Sequence, residues 1–248
     1  MMIGEFVDLL LEPILWLIVS GIITILAIFF ILKYRKIEEE AKPFIFGLIL
    51  FICCFLIART IETIRRYWIG SYYDIIDSHF SITGLNLALR LSYYIIAWSG
   101  ITIFYYVFET HIMKEGMQKN TWYILTIFSA LEGIFSCFLY FTSATDWVMF
   151  CVIGFFFVVA FFPVFLFLYT AKMAISRRQR VAWIGITIGF LIFVLGVMAD
   201  LPEAYLVVTE YMGLEYFPPV FIHYGTPIMQ AMGTVLMGIG FAVLYENI

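Results

Sequence analysis

Seven apolar runs of roughly 20 residues occupy almost all of this 248-residue chain. That is the length a helix rising 1.5 Å per residue needs to cross about 30 Å of hydrocarbon. Their predicted extents are about 9–32, 43–64, 85–108, 121–141, 147–171, 181–198 and 220–244. Inside a bilayer no water satisfies backbone N–H and C=O groups, so only helices and closed barrels can cross it. The runs lack the two-residue alternation of barrel strands. The sequence therefore predicts an all-α fold: a polytopic bundle of seven transmembrane helices, forming a single domain over 1–248. With 64% hydrophobic residues and a mean hydropathy of +1.01, the chain has more apolar surface than a soluble core can hide, and the lipid bilayer must be its solvent. The start, Met1-Met2-Ile3-Gly4-Glu5, lacks the basic region of a cleavable signal peptide, so the first span is expected to be retained.

The basic residues sort to one side. Lys33, Arg35, Lys36, Lys42, Lys114, Lys119, Lys172, Arg177, Arg178 and Arg180 all fall in connections that share a face. The opposite connections carry Arg65 and Arg66, and Arg59 and Arg90 fall inside spans. The positive-inside rule then places the N-terminus outside and the C-terminus in the cytoplasm of a multi-pass protein of the cell membrane. Trp68, Trp122, Trp147 and Trp183 lie at span ends, where an amphipathic ring favours the headgroup layer.

Several function classes lack their residues. A net charge of -4 with no basic face gives no nucleic-acid partner. No Lys lies in the interior of a span to form a retinal Schiff base. The three histidines are scattered, HExxH and CxxC are absent, and no metal or other cofactor is expected. GxSxG and a phosphate-binding glycine loop are also absent, so no catalytic residue is assigned. Cys53, Cys54, Cys137 and Cys151 read as small apolar residues of the spans.

Ionisable groups inside spans are costly, so they should face the bundle interior and find partners. In span two Arg59 and Glu62 are three apart, with Arg66 one turn further on. Asn86, Arg90 and Tyr93 share one face of span three, and Ser129, Glu132 and Ser136 one face of span four. His223, Thr226 and Gln230 form a stripe on span seven. Counting from the span ends puts most of these groups in the outer half of the bundle, with Glu132 deepest. Arg59, Glu62, Asn86, Arg90, Tyr93, Glu132, His223 and Gln230 are thus the candidate site for a small molecule or ion arriving from outside. A buried salt-bridge network that registers the helices accounts equally well for these groups. Gly185 and Gly189 make a GxxxG pair, and Gly233 and Gly240 share a face, which favours close helix packing within one subunit or in a homo-oligomer. Pro163 and Pro227 are expected to kink their spans.

The stretch Ser176-Arg177-Arg178-Gln179-Arg180-Val181-Ala182-Trp183-Ile184-Gly185-Ile186-Thr187-Ile188-Gly189 resembles the junction of the fifth and sixth helices in seven-helix sensory modules that precede histidine kinase and cyclase domains. The resemblance covers this junction and the topology, and it carries over no functional residue. It implies a receptor or sensor bundle. No kinase or cyclase follows span seven here, so signalling would pass to a separate cytosolic partner at the 172–180 loop. An ion or proton channel or transporter is the first alternative, with Glu109, His111, Ser20 and Thr24 as extensions of a polar path. A structural subunit of a membrane complex is the second.

Overall fold

A computed structural model describes residues 3–37, 39, 41–69, 84–111, 113, 123–141, 146–200 and 221–245, with the side chains of 3–10, 69, 146, 149, 222, 223 and 245 left undescribed. Every regular element among them is helical. Seven α-helices follow in order: α1 (Ile3–Tyr34), α2 (Lys42–Ile64), α3 (Gly84–His111), α4 (Ile124–Phe138), α5 (Asp146–Met173), α6 (Arg177–Asp200) and α7 (Thr226–Tyr245). A π-helical turn, Arg65–Ile69, prolongs α2, and another, Phe221–Gly225, leads into α7. Six of the seven are long and apolar enough to cross a membrane. Large side chains such as Leu17, Ile25, Phe150 and Phe165 lie exposed on them, as lipid-facing residues must.

The fourth helix departs from the expected span 121–141. It has 15 residues, about 22 Å of helix, short of a full crossing. Tyr123 adopts a left-handed conformation (φ 55°) that stops the helix from starting earlier, and a turn closes the chain from Leu139 onwards. The prolines act as their chemistry dictates. Pro43 occupies the first turn of α2, where its missing N–H costs nothing. Pro227 is the second residue of α7 and has no N–H to give the carbonyl one turn back, and the ladder widens to π just before it.

The chain divides into two compact units, one of residues 1–23 and 164–247, the other of residues 24–163. In the second unit α2 packs on α3 and α3 on α4. A Cβ on Gly100 would lie 2.6 Å from the Cβ of Cys54, and one on Gly133 2.7 Å from that of Trp98, so bare backbone lets these helices approach. Phe44, Phe51, Phe104 and Phe108 fill the α2–α3 seam with ring centroids 5.4–6.3 Å apart. All four cysteines are free and half-buried.

In the first unit α6 packs on α7. A Cβ on Gly233 would meet the Gly189 carbonyl oxygen and the Phe193 nitrogen at 2.6 Å. Gly196 and Gly240 are pressed in the same way by Gln230 and Ile186. The expected Gly185–Gly189 pair is therefore not the packing unit. Gly189 faces Gly233, Gly196 lies against Met229 and Gln230, and Gly240 against Ala182 and Ile186, while a Cβ on Gly185 would meet nothing within 4 Å. Trp183, expected at the headgroup layer, is buried between Phe167 and Phe241, with ring centroids 5.9 and 6.4 Å away. Trp68 and Trp147 are well exposed, while Trp122 lies outside the described residues.

Candidate functional site

The antiparallel pairing of α2 and α3 brings the end of one helix beside the start of the other, and the intramembrane charges meet there. Glu62 is the centre. Its carboxylate accepts a forked pair from Arg65, Nε to Oε2 at 2.9 Å and Nη2 to Oε1 at 2.8 Å. Oε1 also accepts Nε of Arg66 at 2.8 Å and Nη1 of Arg90 at 2.7 Å. Arg65 and Arg66 follow Glu62 by three and four residues, the two spacings that bring side chains together on a helix surface. The Arg90 contact crosses from α3. Arg90 and Glu62 are each 2% exposed, so these are charge-assisted bonds in a dry setting.

Arg90 joins three elements. Beyond Glu62 on α2, its Nη2 donates to the Tyr94 hydroxyl on α3 at 2.9 Å, and its Nε donates to the hydroxyl of Tyr140, just past α4, at 2.9 Å. Its guanidinium also lies 4.8 Å from the Tyr94 ring centroid and 5.4 Å from that of Tyr93. Tyr93 carries a second cation, since the Arg59 guanidinium lies 5.7 Å from its centroid and 5.3 Å from that of Phe55. A ring quadrupole between two guanidiniums attracts both. Asn86 closes the group by accepting Arg65 Nη1 on Oδ1 at 3.1 Å.

The structure thus brings together five of the eight expected residues, Arg59, Glu62, Asn86, Arg90 and Tyr93. Glu132 lies on the buried face of α4 with Ser129 and Ser136, as its spacing predicts, and Ser136 Oγ lies 3.4 Å from its Oε1. Its neighbour Gly133 packs against Trp98, which is eight residues and about 12 Å along α3 from Arg90. Gln230 belongs to the other unit, where it and Thr226 are fully buried on one face of α7 and Gln230 packs beside Gly196. The side chain of His223 lies outside the described residues.

The expected set lacked four participants, Arg65, Arg66, Tyr94 and Tyr140. Arg65 and Arg66 were expected in the outer connection, yet they continue the helical course of α2 and bind Glu62. Their spacing from Glu62 was the available signal. Tyr140 carried none, because its contact is made 50 residues away from Arg90 in sequence.

Glu109 performs a different task from the polar path suggested for it. It is fully buried near the end of α3 and accepts the backbone N–H groups of Leu125 and Thr126 at 3.0 and 3.1 Å and the Thr126 hydroxyl at 2.6 Å. Tyr123 offers no side-chain cap to α4, so a carboxylate from the neighbouring helix serves as one.

Six membrane-length helices, with a buried charge cluster between α2 and α3, define an integral, multi-pass helical membrane protein. No protein-family model, no curated protein and no solved structure matches the chain.

Proposed function

We propose that this chain is a membrane receptor or sensor whose ligand is a small anion bound at the arginine cluster of α2 and α3. One observation carries the proposal: Glu62 is met by three guanidiniums, those of Arg65, Arg66 and Arg90, and Arg59 adds a fourth cation across Tyr93. Ionisable groups are costly to bury within the membrane, and where they gather they mark ligand or ion sites. Bidentate guanidinium groups suit carboxylate or phosphate oxygens. By the charge rule this end of α2 faces outside. The resemblance to sensory modules supports readout at residues 172–180 by a separate cytosolic protein.

The second reading is a brace within a structural membrane subunit. It is favoured by the way Arg90 commits all three of its nitrogens to Glu62, Tyr94 and Tyr140. The transport alternative loses one of its proposed path residues, since Glu109 caps α4.

Thermal melting of the purified chain in sodium chloride, phosphate and a short dicarboxylate, at fixed ionic strength, separates the readings. An anion present at 100 times its Kd stabilises by about 2.7 kcal/mol. At about 2–4 °C per kcal/mol this raises Tm by about 5–11 °C. Arg66→Gln should abolish that rise, and hydrogen exchange over 172–180 should change with ligand only in the parent. No anion-specific shift would leave the cluster as a brace.

A further inference from the structure

Beside the glycine seam of α6 and α7 lies a feature that the charge cluster does not explain. A groove of about 620 Å³ is lined by Arg177, Arg178, Val181, Gly185, Leu236 and Ile239, together with Ala182, Gly240 and Val243. Its walls are apolar, and its two charged residues stand together at the start of α6. The groove exists because Gly185 leaves a gap in a row that its neighbours fill: a Cβ there would meet nothing within 4 Å. From Arg177 to Gly185 is eight residues, so it runs about 12 Å along the helix from its basic mouth towards the membrane interior.

We propose that this groove is a binding site for one anionic phospholipid, the phosphate at Arg177 and Arg178 and an acyl chain along Val181, Gly185, Leu236 and Ile239. Charge complementarity selects the occupant. A slot with apolar walls accepts hydrocarbon from the bilayer, and a pair of exposed arginines at its mouth favours a headgroup with net negative charge over a zwitterion. Neighbours in sequence add to the basic character, since Lys172 lies in the last turn of α5 and Arg180 in the first turn of α6. The start of α6 is itself firmly built. Ser176 and Gln179 form a reciprocal capping pair, Gln179 N–H to Ser176 Oγ at 3.1 Å and Ser176 N–H to Gln179 Oε1 at 3.4 Å. That holds the arginine backbone in one place, so the site is fixed before lipid arrives.

The test uses the full chain in detergent, loaded with equimolar phosphatidylglycerol and phosphatidylcholine of identical acyl chains, with retained lipid read by native mass spectrometry. One phosphatidylglycerol per chain should be retained in preference to phosphatidylcholine. Near a membrane surface each Lys or Arg is worth about fivefold in affinity for anionic lipid, so Arg177→Gln should cut that preference about fivefold. Gly185→Leu fills open space rather than packed backbone. It should leave Tm unchanged while removing the retained lipid of both kinds. Equal retention of the two lipids by the parent would overturn the proposal, as would phosphatidylglycerol held by Gly185→Leu at the parent level. A parent dimer that Gly185→Leu dissociates would overturn it too, and would assign the groove to a second copy of the chain.

Discussion

Replacing Glu62 by Gln removes one charge and keeps the shape, which makes its cost a direct measure of the cluster. The amide oxygen is best placed at the Oε1 position, where it still accepts Arg65 Nη2, Arg66 Nε and Arg90 Nη1. The amide nitrogen then takes the Oε2 position and opposes Arg65 Nε, donor against donor. Three bonds to a charged acceptor become bonds to a neutral one, a loss of about 1 kcal/mol each, and the fourth is replaced by an unmet buried donor at about 1–3 kcal/mol. The total of about 4–6 kcal/mol overlaps the 3–5 kcal/mol typical when one partner of a buried ion pair is removed. At about 2–4 °C per kcal/mol, Tm falls by about 8–24 °C. A thiol-reactive dye reports the transition, because all four cysteines are free and half-buried in the folded chain. The double variant Glu62→Gln/Arg66→Gln removes a cation along with the carboxylate, and should be at least about 1 kcal/mol more stable than the sum of the single losses. A Tm for Glu62→Gln within 2 °C of the parent, or strict additivity in the double variant, would refute the claim that one carboxylate holds three arginines.

Two further outcomes test the parts of the fold that sequence did not reveal. Glu109→Ala strips the cap from α4 and leaves two backbone donors and a hydroxyl without their acceptor, at about 2–4 kcal/mol. Glu109→Gln should recover about half of that in the same melting assay, and equal damage from both would point to charge rather than capping. Gly233→Ala drives a Cβ to within 2.6 Å of the Gly189 carbonyl oxygen and the Phe193 nitrogen, backbone atoms that cannot swing aside. It should cost about 1–3 kcal/mol, whereas Gly185→Ala should melt with the parent.

What could be read from the sequence follows from the solvent. Lipid leaves the backbone only helices, so six of the seven spans were legible from hydropathy alone, and their ends moved only where hydropathy is the wrong signal. Helix α6 begins at Arg177, before its apolar run, because the Ser176–Gln179 capping pair starts it among charged residues. The same bias kept Arg65 and Arg66 out of the candidate set, although Arg66 stands one turn beyond Glu62 in the sequence. As charges beyond an apolar run they counted towards topology, yet their spacing from Glu62 already placed them on its face. Conversely α4 looked long enough to cross because a largely apolar run extends beyond both of its ends. Its true start depends on a left-handed Tyr123 and a carboxylate 16 residues earlier, at the end of α3.

The gathering of arginines on Glu62 was hidden for a related reason. Depth in the membrane marks a charge as costly, but it does not say which cations reach it. Glu62 gathers arginines because α2 and α3 run antiparallel, which sets residue 62 of one helix level with residue 90 of the other; the glycine contact of Gly100 with Cys54 keeps them close enough for a 2.7 Å bond. Periodicity put each residue on its face, but partnership between faces is fixed by helix pairing and by where small residues let backbones approach. Neither is contained in a single span, and both are carried here by residues such as Gly100 and Gly133 that look like ordinary packing positions in the sequence.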